Sequence, residues 1–165
     1  MSALDWFLKI KGSKQGDIKG ESQDDAHKEQ IELLSAHHQI KVPRDMATGQ
    51  ATGRRQHGEF VITKHIDKAT PPLLSALVHN EMLTEMTVEC LRADGGKKVK
   101  YFVIVLKNAY LADYQLETPP AGADLPKERW AFRYASIEWT YTAQSRKDGT
   151  GGGTLQAADD LTRVQ

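Results

Sequence analysis

The chain has very little cysteine: Cys90 is the only one in 165 residues. A single cysteine excludes an intramolecular disulfide. Because Cys90 lies in an alternating apolar stretch, we expect a small buried side chain rather than a reactive thiol. The fold must therefore rest on an ordinary hydrophobic core, and this length suffices for one domain with such a core.

An excess of charge of either sign is also missing. Lys+Arg and Asp+Glu each number 22, so the formal net charge is zero and the sequence pI is about 7.0. A nucleic-acid-binding protein normally carries a basic excess, so the composition argues against a nucleic-acid partner. Near-zero net charge removes the self-repulsion that discourages association, and it therefore permits oligomers.

Long apolar runs are absent as well. No stretch approaches the ~18–20 residues that span a bilayer, so we expect no membrane partner. The N-terminal sequence MSALDWFLKIKG lacks the basic region, the long apolar region and the cleavage site of a secretory signal peptide. We therefore expect synthesis in the cytoplasm without a signal peptide, and any export by a route other than the general secretory pathway.

Motifs that carry chemistry are missing too. His37 and His38 are adjacent, so on a strand they point to opposite faces and cannot share a metal ion. Asp24 and Asp25 lack the D-x-D-x-D-G framework of a calcium loop. Neither a zinc-type cysteine or histidine pair, nor a nucleophile elbow, nor a phosphate-binding or dinucleotide motif occurs. The sequence predicts no catalytic residue, no metal and no cofactor, and hence no enzyme.

What the sequence does contain is the two-residue periodicity of β-strands. Leu4–Lys11 and Leu83–Arg92 alternate apolar and polar side chains, as half-buried strands do. A long strand is predicted over Glu29–Val42, and another begins at Phe60. These segments, with turn signals between them, favour an antiparallel β protein.

One hairpin has an unusual returning strand. Asp94-Gly95-Gly96 predicts the turn, because glycine accepts the positive φ that such turns require. The next segment, Val99–Leu106, is apolar on both faces, whereas an ordinary barrel strand has one wet face. The second face must be covered by a helix or by a neighbouring subunit, so Val103 and Val105 are candidate subunit-interface residues.

A short helix is predicted over about residues 71–80. Thr70 is placed to cap its free N–H groups, and Pro71 stands where its missing N–H costs nothing. Glu81 is expected outside the apolar stripe of this helix. The stripe consists of Leu73, Leu74, Leu77 and Val78.

The last strand pattern changes phase. Trp130, Phe132 and Tyr134 share one parity, and Ile137, Trp139 and Tyr141 share the other. A period of two cannot change phase without an extra residue, so we expect a β-bulge or sharp bend at Ala135-Ser136. The whole predicts an antiparallel β-barrel or sandwich over residues 1–143 with one short packed helix, followed by a flexible tail over 144–165.

A long exposed loop is predicted over residues 43–58. It carries three arginines, Arg44, Arg54 and Arg55. Loops of this length inside a compact domain are usually either functional or disordered. Planar guanidinium groups suit carboxylates on a partner surface, so one hypothesis is a docking arm and the alternative is a solvated mobile loop.

Five segments, taken in order, resemble the Hcp family, the haemolysin-coregulated proteins of the bacterial type VI secretion system. The resemblance spans residues 4–142 and rests on joint order and spacing rather than on a single motif. The segments are FLKIKG, IKGESQDDAHKEQIELLS, FVITKHIDKATPPLLSAL, VKYFVIVLKNAYL with the hairpin before it, and ERWAFRYASIEWTYTAQ.

The resemblance implies a structural protein. Six copies would form a hexameric ring, and rings would stack into a tube that a contractile sheath fires outward behind a spike protein. Effector proteins would travel in the lumen, and the tube subunit would reach the extracellular space or a target cell. In this setting Arg44, Arg54 and Arg55 are candidate ring-stacking residues. The alternative from another class is a monomeric β-barrel that binds a small ligand among its aromatic side chains.

Overall fold

The computed structural model describes residues 4–94, 96–143 and 153–163. Antiparallel β-strands and one α-helix account for most of these residues, which confirms the predicted fold class. The elements are β1 (Leu4–Gly12), β2 (Gly16–Ile18), β3 (Ile31–Leu33), β4 (Ser35–His37), β5 (Ile40–Lys41), β6 (Gln56–His57), β7 (Phe60–His65), α1 (Thr70–Val78), β8 (Leu83–Asp94), β9 (Lys97–Glu117), β10 (Lys127–Arg133), β11 (Ser136–Thr142) and β12 (Thr154–Asp160). No helix within the described ranges is long and apolar enough to cross a bilayer.

Strand β9 joins two sheets. Its first half pairs with β8 on one side and with β11 on the other, and its second half pairs with β10. Asn108 lies at the change-over with a φ of 50°, a left-handed conformation that asparagine tolerates better than most residues. The first sheet continues from β8 to β1, β2 and β3 and from β11 to β12, while the second runs β9-β10-β7-β4.

The hydrophobic core lies between these two sheets and is closed by the helix. Leu8 and Leu106 come from the first sheet, Ile62 and Trp130 from the second, and Leu73 from α1, and all five are fully buried. Fully burying one such side chain contributes roughly 1.5–3 kcal/mol. Trp130 and its neighbours thus fill the space in which the alternative hypothesis placed a ligand.

The helix begins close to the predicted residue, but its N-cap differs from the predicted one. Ala69 is the N-cap residue and makes no side-chain cap, so the predicted cap by Thr70 is wrong. The Thr70 hydroxyl donates instead to Glu128, and the Asp67 carboxylate accepts the Ala69 N–H before the first turn. The Thr70 side chain is therefore drawn into a buried polar cluster.

The far end of the helix differs from the prediction as well. Val78, expected in the apolar stripe, is 72% exposed, and the stripe narrows to Leu73 and Ala76 with Leu74 and Leu77 half-buried. Glu81 is buried rather than outside, because its carboxylate accepts the backbone N–H groups of the β1–β2 turn at 3.0–3.2 Å. Those donors stabilise a carboxylate that would otherwise be costly to bury.

Two sequence predictions about long segments are wrong. The strand expected over Glu29–Val42 is divided, since β3 pairs with β1 in the first sheet whereas β4 pairs with β7 in the second. Within the expected tail, Thr154–Asp160 forms strand β12 on the edge of the first sheet; residues 144–152 and 164–165 lie outside the described ranges. Neither partner strand could be identified from local periodicity.

Two local predictions are confirmed. Asp94 pairs with Lys97 across the hairpin, and Gly96 has a φ of 84°. The phase change near Ala135-Ser136 separates β10, which pairs in the second sheet, from β11, which pairs in the first. The chain bends there because its two halves belong to different sheets.

Candidate assembly surfaces

The predicted loop over residues 43–58 is an exposed hairpin with ordered turns. Its base is the pairing of β5 with β6, and an isolated bridge joins Arg44 to Ala51. The Asp45 carboxylate accepts the N–H groups of Ala47 and Thr48, both at 2.8 Å, and so closes the tip. Met46 at the tip is fully exposed. This segment therefore presents a defined shape to solvent.

The three arginines of this loop differ in their surroundings. Arg54 is exposed, and Arg44 is exposed with one hydrogen bond to the Gly49 carbonyl at 3.2 Å. Arg55 instead makes a two-pronged contact with Asp159 of β12, with Nε 2.5 Å from Oδ2 and an Nη 2.8 Å from Oδ1. Arg44 and Arg54 remain candidates for ring stacking, whereas Arg55 is committed to its own chain.

A chain of polar side chains continues inward from Asp159. His57 Nε2 lies 2.7 Å from the Asp159 carboxylate, and His57 Nδ1 lies 2.7 Å from the Tyr134 hydroxyl. That hydroxyl is also 2.6 Å from His38 Nε2. The hydrogen bond from Arg55 lowers the pKa of Asp159, and burial raises the pKa of Tyr134 far above its ordinary value. We call Arg55, Asp159, His57, Tyr134 and His38 the loop network.

Val103 and Val105 lie on the face of β9 that points away from the core. The neighbouring Ile104 and Leu106 are buried, while the two valines are half-buried. Their cross-strand neighbours are mainly polar: Glu89 and Thr140 for Val103, and Thr87 and Glu138 for Val105. The structure thus places the predicted interface pair together on an accessible surface.

A second accessible apolar surface lies where the first sheet extends beyond the core. Phe102 pairs with Tyr141, which in turn pairs with Leu155 of β12. Tyr141 is 38% and Leu155 is 72% exposed, and Phe102 and Trp139 are only partly buried. These four residues, here named the aromatic edge, form an apolar surface at the rim of the sheet. Exposed apolar patches of this kind often mark sites of protein association.

Groups that could hold a metal ion are not found in the described part of the chain. The adjacent His37 and His38 have different surroundings, because His38 turns inward to Tyr134 while His37 is exposed. His27 is also occupied: it stacks on Phe7 and lies between two carboxylates. His27 and His38 thus serve packing and hydrogen bonding.

Comparison with known proteins identifies the relatives of this fold. The family model described as "Type VI secretion system effector, Hcp" matches residues 7–141. The chain is 32% identical over 161 residues to the "Major exported protein" of Pseudomonas aeruginosa, covering 88% of this chain and 91% of the relative.

The chain belongs to the Hcp family. Among solved structures it resembles Hcp1 of E. coli EAEC 042, with a TM-score of 0.79, 28% identity, and coverage of 95% of this chain and 98% of the other. It also resembles a type six secretion system protein with a TM-score of 0.83 and 27% identity, covering 97% of each chain.

Family membership settles the class of function. Hcp proteins are secreted tube proteins that are known to form hexameric rings. This chain is therefore a type VI secretion tube or effector protein and not an enzyme. The small-ligand-binding alternative has no support from these relatives. Export by type VI secretion follows from the same relationship.

The sequence did not reveal several residues of these surfaces. Asp159 and Leu155 lie in the segment that was expected to be a tail, and Tyr134 and His38 contact each other across 96 positions of sequence. Alternation in TLQAADD is a weak strand signal, because it contains only one large apolar residue.

Proposed function

We propose that six copies of this chain close into a ring, that rings stack into a tube, and that effector proteins travel in the lumen. The spike protein and the contractile sheath of the secretion machine are the proposed partners of the tube. Synthesis takes place in the cytoplasm, and the tube delivers the subunit to the extracellular space or to a target cell.

The aromatic edge is the observation that carries the ring. Head-to-tail contacts that close into a ring use two different patches on each subunit. The aromatic edge provides one apolar patch, and we assign the second to the surface around Val103 and Val105. Burial of apolar area at about 25 cal/mol per Å² would favour both contacts.

Stacking of rings is assigned to the exposed loop. Arg44 and Arg54 are solvent-accessible, and neither forms an ion pair with a carboxylate in the described part of the chain. Because these guanidinium groups are exposed and not used in such an ion pair, they are available to bind a carboxylate of the next ring in a two-pronged contact. The bridge between Arg44 and Ala51 and the hydrogen bond from the Thr52 N–H to the Pro43 carbonyl hold the two arms of this hairpin together.

Light scattering on a size-exclusion column, followed by negative-stain imaging, tests the ring. Six chains of 18.4 kDa, about 110 kDa in all, are expected to elute together as ring-shaped particles. Leu155→Glu is expected to shift the mass toward the monomer, because a charge would enter the apolar contact. Leu125→Glu is the matched control, since Leu125 is similarly exposed at 64% but lies outside both patches. A monomeric parent protein would overturn the proposal.

A further inference from the structure

We infer that the loop over residues 43–58 and the C-terminal strand β12 form one conformational unit, held together by the carboxylate of Asp159. Loosening either element is expected to loosen the other. This coupling operates within a single chain, so it goes beyond the proposed ring and does not depend on it.

The geometry at Asp159 is the first support. The carboxylate receives both prongs of Arg55 and the Nε2–H of His57, and Arg55 also donates to the Asp160 carbonyl at 3.3 Å. All donors come from the loop, and both acceptors belong to β12. Charge-assisted, two-pronged contacts of this kind are among the stronger hydrogen bonds in proteins.

Neither element buries an apolar side chain in the described part of the chain. Strand β12 is the edge of its sheet and pairs only with β11, and residues 154–158 are exposed. Asp159 and Asp160 are its half-buried positions. The loop offers no apolar anchor either, since its one large apolar side chain, Met46, is fully exposed. The polar contact is therefore the principal tie between the two.

The remaining members of the loop network attach this unit to the body of the fold. A carboxylate only accepts, so His57 Nε2 donates to Asp159, and His57 Nδ1 shares a hydrogen bond with the Tyr134 hydroxyl. The same hydroxyl shares a second hydrogen bond with His38 Nε2. Burial and the nearby His57 lower the pKa of His38, which agrees with a neutral ring at that end. The Tyr134 hydroxyl thus joins both histidines to the body of the fold.

The coupling has a direct consequence for the edge strand. A coupling free energy between two elements is reciprocal. Displacing β12 therefore destabilises the loop by the same free energy by which displacing the loop destabilises β12. Because β12 is an edge strand among the described residues and Leu155 is exposed, a contact with another chain can reach this strand as well as the loop.

Hydrogen exchange of the full-length protein, followed by mass spectrometry of peptides, tests the inference. Asp159→Asn is expected to speed amide hydrogen exchange in the loop peptide at least about tenfold, although the amino-acid sequence of the loop is unchanged. Arg55→Gln is expected to speed exchange in β12 by a similar factor. Each variant thus changes one element and is read out in the other.

The neighbouring residues supply matched controls. Asp160→Asn alters the next carboxylate of β12, which accepts from Thr162 rather than from the loop, and Arg54→Gln alters the exposed arginine beside Arg55. Both are expected to leave the remote element unchanged. If Asp159→Asn raises exchange throughout the protein, Arg55→Lys decides, because it keeps the charge and loses the two-pronged contact. Unchanged exchange in the remote element would overturn the coupling.

Discussion

The ammonium group of Lys64 lies 2.8 Å from the carboxylate of Glu128, and both side chains are fully buried. Asp67 and the Thr70 hydroxyl also contact the ammonium, at 2.7 and 3.1 Å. The indole N–H of Trp130 donates to the same Glu128 oxygen at 3.1 Å. This cluster connects β7, the start of α1 and β10, and its charges are tolerable there only because they are paired.

Removing one partner is expected to be costly. Lys64→Met leaves Glu128 buried without its counter-charge and should lower the free energy of unfolding by about 3–5 kcal/mol. Chemical denaturation at neutral pH measures this. The double variant Lys64→Met/Glu128→Gln should recover most of the loss, because the amide oxygen still accepts from Trp130. Lys68→Met, at an exposed lysine 3.8 Å from Glu29, should change stability by less than about 0.5 kcal/mol.

Local sequence patterns were sufficient to predict part of this fold. Alternation identified β1 and β8, the Gly-rich turn identified the hairpin at Asp94, and the phase change identified the corner after Arg133. Each of these features depends on neighbouring residues, whose periodicity is visible in the sequence.

Features that depend on distant partners were not predictable in this way. Lys64 and Glu128 are polar residues on strands, which a periodic pattern assigns to solvent, yet they are buried opposite each other. The contact of Arg55 with Asp159 was not predicted, because the two residues are 104 positions apart in the sequence. The pairing of β12 with β11 likewise depends on tertiary structure and not on the strength of its own pattern.

Loss of the Tyr134 hydroxyl should destabilise the protein. Tyr134→Phe leaves nitrogen atoms of His38 and His57 without their shared partner in a largely buried setting. Leaving buried polar groups unsatisfied costs about 1–3 kcal/mol, which should appear in thermal or chemical unfolding. Tyr110→Phe is the matched control, because Tyr110 is 40% exposed, and it should stay within about 0.5 kcal/mol of the parent. Equal effects of the two changes would contradict this role.

Acid should weaken the segment that covers Phe7. The hydrogen bond from His27 holds the pKa of Asp24 below its usual value, and the Ala26 N–H adds to this. A lowered folded-state pKa gives stability above the unfolded value of about 3.9, and that stability is lost as the pH falls through the folded value. Asp24→Asn should therefore be less stable than the parent at pH 7, and the difference in stability should shrink as the pH falls below the unfolded value of about 3.9. A constant difference across this range would contradict the assignment.

Charge reversal in the loop should separate stacking from loop order. Arg54→Glu is expected to weaken ring stacking and leave both the ring and the loop intact, because Arg54 is exposed. Arg55→Glu should weaken stacking and also release the loop, since it places a carboxylate against Asp159. Tube length in negative-stain images measures stacking, and exchange of the loop peptide measures its order. Unchanged tubes in the Arg54→Glu/Arg55→Glu double variant would remove the stacking role.

Introducing a charge on the outer face of β9 should disrupt the ring before it disrupts the fold. Val103 and Val105 are half-buried beside polar neighbours, so Val103→Asp or Val105→Asp places a carboxylate where the isolated chain can still solvate it. In the ring that carboxylate would be buried without a partner, at a cost of several kcal/mol.

Light scattering should therefore show a mass close to 18.4 kDa for the aspartate variants, with circular dichroism that matches the parent. Val105→Thr is the control of equal shape, and it should retain the ring because a hydroxyl is far less costly to bury than a carboxylate. Aspartate variants that assemble as the parent does would show that this face of β9 stays exposed in the tube.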